Sequence, residues 1–309
     1  MVGRVRAYGV GDRNQRAARS AERQRALVVG SLARDRIEVS GRTQWCIGGV
    51  VWYAGVTLVQ LGIETRALTR TSPADKRLAE MLRAAGLQVE WRQSAHTTTF
   101  VNTYSHRKSD DRIQRVLALA DPIDGGDVAK ALQDVDLAYL GPLHPDDFAC
   151  DVLQAIRDQK PGLVVLDVQG YMRTIQDRQV IPKLDDRLFA VLSVCDLIKA
   201  SQAEAHIITG RIGPSQAALN LATSYPSLEV VVTCGADGVH VARRSSVYYE
   251  PAVPVDVADS TGAGDIFFAS YVAKRLMDAS TESAAKFAAG FTARRLLDPS
   301  RTKNLAGEI

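Results

Sequence analysis

No apolar run in the 309-residue chain approaches the roughly 20 residues that a helix needs to cross a bilayer, so a soluble protein is expected. The four cysteines, Cys46, Cys150, Cys195 and Cys234, stand far apart and form no CxxC pair. That spacing argues against a zinc ribbon, and a disulfide framework does not suit a chain of this size. They read as small buried hydrophobes in a reducing cytoplasm. The five histidines are equally scattered, with no HExxH spacing, and His144 and His240 read as structural. No GxGxxG follows the first apolar strand, which weakens a nicotinamide oxidoreductase reading. Internal repeats and low-complexity linkers are also lacking, which leaves one large α/β domain or a main domain with a small appendage.

Net positive charge is confined to the first 25 residues. That head carries seven arginines against Asp12 and Glu22, a balance of +5, whereas the whole chain sums to +3. The body is therefore slightly acidic, and nucleic-acid binding cannot be argued from it. The head holds few large apolar residues and lacks the apolar core of a secretory signal. It reads as a disordered extension over residues 1–25, with a transit peptide or a nucleic-acid contact as rivals.

What the body contains is alternation. "ALVVG" (26–30), "ETRALTR" (64–70) and "LQVEW" (87–91) read as strands, and "PADKRLAEMLRAAG" (73–86) as an amphipathic helix closed by glycine. "CIGGVVWYAGVTLVQLG" (46–62) opens a helix with a glycine pair. "TTTFVNTYS" (97–105) and "RIQRVLAL" (112–119) flank a charged turn and read as a polar-faced hairpin. With "RDRIEVSGRTQW" (34–45) they suggest a lid, from segments about 34–47 and 96–119, over the edge of the main sheet. "GLVVLDVQG", "VCDLIKAS" and "LEVVVTCGADG" each end an apolar strand in polar or glycine residues. Ligands of open α/β sheets collect at that strand edge, where Asp167, Lys199, Glu204 and Thr233 fall.

The stretch "ADSTGAGDIFFASYV" (258–272) runs from glycines and small residues into an apolar helix. Ser260, Thr261 and Asp265 are ordinary helix caps, so a well-capped helix start is one reading. The other is a site. Backbone N–H groups at a helix N-terminus converge on an anion, and glycine lets a phosphate approach. A carboxylate at Asp265 would repel that phosphate unless an attacking hydroxyl lay between them and surrendered its proton.

"DSTGAGD" (259–265) resembles the DTxGAGD signature of the ribokinase-like, or PfkB, carbohydrate kinases. The resemblance runs from about Ala26 to the C-terminal helices, with further motifs in family order. "GSLARD" (30–35) is similar to the segment whose aspartate binds substrate hydroxyls, here Asp35. Gly48 and Gly49 match the glycine pair packed on the substrate. "KASQAE" (199–204) resembles KxNxxE, whose glutamate helps organise Mg²⁺, here Glu204. "TCGADG" (233–238) is similar to TxGxxG along the nucleotide phosphates, here Thr233, Gly235 and Gly238.

The resemblance implies a three-layer αβα sandwich of α/β class with a small β-sheet lid, the kinase domain covering residues 26–309. It makes Asp265 the catalytic base, with Gly262, Ala263 and Gly264 forming an anion hole beside it. It puts Lys199, Ser201 and Thr261 on the nucleotide side, and implies ATP with Mg²⁺, leaving a monovalent-cation requirement open. A homodimer through the lid is also open.

Departures limit the substrate. Trp52 and Tyr53 stand where the family carries a sugar-binding Asn, and they offer either a flat wall for a ring substrate or core packing. Ser201 replaces the Asn of NxxE. Thr98, Phe100, Asn102 and Tyr104 alternate on one lid strand, which points Phe100 toward the substrate. The function expected is phosphorylation of a small sugar or cyclitol by ATP. A nucleoside kinase of the same fold and a non-catalytic ATP- or sugar-binding sensor are the alternatives.

Overall fold

The first strand, β1 (Arg25–Val29), explains the architecture that grows around it. It is paired in parallel on both sides, with β4 (Glu64–Thr71) and β8 (Leu137–Leu140). A strand covered on both faces has no use for alternation, and RALVV is apolar after its first residue. Ala26 and Val28 enter one core and Leu27 and Val29 the other, so the strand has helices above and below. The computed structural model describes residues 24–104, 112–210, 213–257 and 260–298.

β9 (Leu163–Asp167), β12 (Leu197–Ser201), β13 (Glu229–Thr233), β14 (Val239–Arg243), β15 (Ser246–Glu250) and β5 (Gln88–Gln93) complete the main sheet. Its nine strands run in the order β15-β14-β13-β12-β9-β8-β1-β4-β5. Pairing is parallel from β13 to β5 and antiparallel at the β13–β14–β15 edge.

One face carries α1 (Val50–Gln60), α2 (Lys76–Ala84), α8 (Ala263–Leu276) and α9 (Thr281–Leu297). The other carries α3 (Gly125–Ala131), α4 (Val152–Gln159), α5 (Arg187–Leu192), α6 (Gln202–Thr209) and α7 (Pro214–Ser224). This is the expected αβα sandwich. α1 is buried over most of its surface, in keeping with the apolar sequence VVWYAGVTLVQ.

The lid is a second sheet of six strands, ordered β10-β11-β7-β6-β2-β3. β2 (Ala33–Val39), β3 (Arg42–Gly48), β6 (Thr98–Tyr104) and β7 (Arg112–Ala118) come from the two expected segments. β10 (Arg173–Gln176) and β11 (Gln179–Pro182) form a hairpin that the sequence reading did not assign to the lid. It joins through the Gln179–Arg115 pair and the Val116 amide on the Arg178 carbonyl at 2.8 Å. A four-residue strand in a polar segment has too little apolar alternation to stand out.

The arginine-rich head lies outside the described residues except at its end. Arg25 belongs to β1, where its amide donates to the Asp136 carboxylate and its carbonyl accepts from the Asp136 amide, both at 2.8 Å. The boundary expected after residue 25 therefore falls at least one residue earlier. Among the described residues, no helix is long and apolar enough to cross a membrane.

Candidate active site

Parallel strands deliver their last residues to one edge of the main sheet. There Asp167 closes β9, Ser201 closes β12 and Thr233 closes β13, beside the N-terminus of α8.

Asp265 sits in the first turn of α8, behind the glycine loop. Gly262 is the N-cap at φ 77° and ψ 0°, and no side chain caps the helix. A Cβ at Gly262 would lie 2.4 Å from the Tyr53 ring, so the loop needs glycine for its backbone and its packing. The amide of Ala263 donates to the Ser260 carbonyl at 3.0 Å. That leaves the Gly262, Gly264 and Asp265 amides as the loop's candidate donors to an anion. Asp259, the first residue of the DSTGAGD stretch, lies outside the described residues.

Beneath the loop lies a buried charge cluster. Lys199, expected along the nucleotide, is instead 6% exposed, with its ammonium 2.7 Å from Asp167 and 3.9 Å from Asp265. A Cβ at Gly264 would stand 3.4 Å from the Lys199 Cε and Nζ, an ordinary packing distance that puts the loop directly beside this lysine. Burial raises the Asp265 carboxyl well above the ordinary carboxylate range. Lys199 opposes that rise, while Asp167 and Glu204 add to it. Burial alone would lower Lys199, but Asp167, Glu204 and Asp265 outweigh it and keep the ammonium charged. Tyr139, fully buried on β8, has no hydrogen-bond partner for its hydroxyl among the described residues. Burial, then the charges of Asp167 and Asp265, push its ionisation far up.

On the donor side, the Cys234 amide donates to the Gly238 carbonyl at 2.8 Å and closes the loop after Thr233. The two loop glycines differ. A Cβ at Gly235 would meet open space, whereas one at Gly238 would fall 2.3 Å from the Glu250 carbonyl oxygen. Gly235 faces outward and Gly238 is packed against the end of β15. Ser201 and Glu204 form a capping box on α6: the Ser201 amide donates to Glu204 Oε2 at 2.7 Å, and the Glu204 amide to Ser201 Oγ at 3.3 Å.

On the lid side, Asp35 pairs across the sheet with Cys46 and Phe100, and Phe100 with Val116. The Asp35 carboxylate lies where a Gly48 side chain would be, 1.9 Å from that Cβ position. Gly49, at φ 94°, is held against the Ser31 carbonyl, which a Cβ would approach to 2.5 Å. One row further out, Gln114 donates to Asn102 at 2.8 Å. Phe100, Trp52 and Tyr53 all belong to the buried core, and Tyr53 packs against Gly262. Core packing is thus the alternative that Trp52 and Tyr53 display.

A sequence profile described as pfkB family carbohydrate kinase matches residues 47–299. The chain belongs to this family. Among curated relatives, the pfkB protein is 37% identical over 121 residues to a fructokinase of Klebsiella pneumoniae, covering 39% of this chain and 38% of that one. The match thus spans under two fifths of that relative's length.

Among solved structures, a pyrophosphate-dependent kinase of the ribokinase family, complexed with a pyrophosphate analog and myo-inositol, superposes with a TM-score of 0.80 at 24% identity. It covers 89% of this chain and 96% of its own. A ribokinase of Arabidopsis thaliana, complexed with ribose and ATP, gives 0.70 at 19% identity, covering 90% and 94%. Both establish the ribokinase-like fold of this pfkB chain. The hairpin β10–β11 and Tyr139 were not assigned to the site from sequence, whereas Lys199 was expected on the nucleotide side and Asp167 at the ligand edge of the sheet, without being paired. Only Asp167 and Lys199 carried a signal, as polar residues ending apolar strands.

Proposed function

We propose that this pfkB-family protein is a kinase that phosphorylates a hydroxyl of a small sugar or cyclitol, with Asp265 as general base. The observation that carries the reading is the place of Asp265, its side chain 16% exposed and 3.9 Å from Lys199, at the uncapped start of α8, one residue from a loop glycine. A carboxyl whose proton affinity is raised by burial is suited to accept a proton near neutral pH. The acceptor O–H gives its proton to Asp265, its oxygen bonds to the terminal phosphorus of the donor, and the bridging P–O bond breaks. The leaving group, ADP from ATP or orthophosphate from pyrophosphate, takes that electron pair. Amides of Gly264 and Asp265 are placed to stabilise charge on the transferred group.

Asp35, Gly48, Gly49 and Phe100 form the proposed acceptor wall under the lid. Thr233, Gly235, Ser201 and Thr261 form the donor side, with Gly238 shaping its loop. Among the described residues, no group of three or more His, Cys, Asp or Glu is placed to hold a metal ion. Mg²⁺ that arrives with donor phosphates needs few protein ligands, and the carboxylate of Glu204, half occupied by its capping box, fits that limited demand. The ion would neutralise phosphate charge.

ATP is the donor implied by the sequence motifs. Pyrophosphate is a second reading, favoured by the higher structural similarity to a pyrophosphate-dependent kinase than to a ribokinase holding ATP. A nucleoside acceptor finds less support, because the rings of Trp52 and Tyr53 are spent in packing. The test is incubation with ATP–Mg²⁺ or pyrophosphate–Mg²⁺ and a panel of sugars, cyclitols and nucleosides, following the phosphorylated product by phosphorus NMR. Transfer to a sugar or cyclitol is expected. Transfer to nucleosides alone, or to nothing, would overturn the reading.

A further inference from the structure

Asp265 does not meet its surroundings alone. The Asp167 carboxylate is fully buried and fixed at both oxygens, Oδ1 accepting from the Gln169 amide at 3.1 Å and Oδ2 from Lys199 at 2.7 Å. Lys199 links it to Asp265, its ammonium lying 2.7 Å from Asp167 and 3.9 Å from Asp265. Lys199 reaches both acids and lies beside the loop at Gly264. The groups facing Asp265 are Asp167 from β9, Lys199 from β12, Glu204 from α6 and the Tyr139 hydroxyl from β8. The Tyr53 ring, from α1, packs against Gly262, the N-cap of the same helix.

We infer that Asp167 and Lys199 are positioning residues that hold Asp265 for proton transfer. The inference rests on Asp265 being the base. Before transfer, Asp167, Lys199 and Asp265 together carry one net negative charge. When Asp265 takes the acceptor proton the trio becomes neutral, and burial favours the neutral state. Asp167 thereby makes Asp265 a stronger proton acceptor, and Lys199 keeps it ionised until the acceptor arrives. Lys199 on this account is a prop beneath the loop and no ligand of the donor. The two roles separate experimentally, because a prop changes turnover and a donor ligand changes binding.

The test uses the full chain and compares wild type with Asp167→Asn, Lys199→Met and Lys199→Arg. Turnover, both KM values, the pH profile of kcat and thermal melting are recorded for each. Asp167→Asn is nearly isosteric, and Lys199→Arg keeps the charge should Lys199→Met fail to fold. A misplaced base costs about 100-fold in kcat, with both KM values within about threefold of wild type.

The acid limb of the kcat profile moves to lower pH in Asp167→Asn, where a neighbouring negative charge is lost. It moves to higher pH in Lys199→Met, where a positive charge is lost, and stays near wild type in Lys199→Arg. A raised donor KM with kcat unchanged, or an unmoved acid limb in Asp167→Asn, would overturn the inference. Active wild type with inactive Asp265→Asn but normal Asp167→Asn sinks the inference alone. Full activity in Asp265→Asn sinks the reading of the base beneath it.

Discussion

At the residue scale, the site is a set of paired vacancies and fillings. Tyr53 occupies the space a side chain at Gly262 would need, Lys199 abuts that at Gly264, and the Asp35 carboxylate occupies that at Gly48. Gly262→Ala would place a Cβ in the left-handed region at a cost of about 1–2 kcal/mol and force the Tyr53 ring aside. A lower melting temperature with reduced turnover is expected, checked by thermal melting and initial rates.

Asp265 behaves in the opposite way. Its carboxyl binds a proton more tightly folded than unfolded, so it favours the native state in acid and opposes it as pH rises through its raised pKa. Asp265→Asn is therefore expected to melt no lower than wild type at pH 8. The same raised pKa puts the acid limb of kcat above the ordinary carboxylate range, with rate lost as pH falls. The GAGD spacing made the start of α8 behind a glycine turn legible. Asp167 and Lys199 stood in view as strand-end residues, but only the sheet pairing of Lys199 with Asp167 makes them partners.

At the element scale, α8 matters because its N-terminus carries Asp265 and its far end is anchored. Glu229, 3% exposed at the start of β13, accepts from the Tyr271 hydroxyl at 2.5 Å and from Arg275 at 2.8 Å through each oxygen. Removing one member of such a buried network leaves the others uncompensated. Glu229→Ala is expected to lose about 3 kcal/mol of stability, measured by denaturant titration. Helices and parallel strands were readable because burial imposes apolar runs and turns impose glycine. The hairpin β10–β11 was not, since its short strands owe their place to pairing with β7. That hairpin follows the turn capped by Asp167, so the charge cluster and the far edge of the lid are neighbours in the chain.

At the scale of the whole molecule, a nine-stranded sheet brings distant segments to one edge, and a smaller sheet covers it. Asp167, Lys199 and Thr233 stand at or near the carboxyl ends of β9, β12 and β13, Asp265 opens α8, and Lys199 reaches both Asp167 and Asp265. The alternation of strands and helices made this layout legible, because ligands gather at the carboxyl ends of parallel strands. The N-terminal boundary was misplaced by charge composition, which cannot show that Arg25 is the first rung of β1. A chain beginning at Ser20 is expected to keep its melting temperature and turnover. One beginning at Ala26 loses the Arg25–Asp136 hydrogen bonds and melts lower, as parallel thermal scans would show.

The most direct measurement is the turnover of Asp265→Asn beside its binding of the donor, with the sugar or cyclitol that the wild type accepts. The account predicts a fall of about 10³-fold in kcat, with donor affinity and melting temperature at least as high as in the wild type. Turnover within a few fold of the wild type would contradict it.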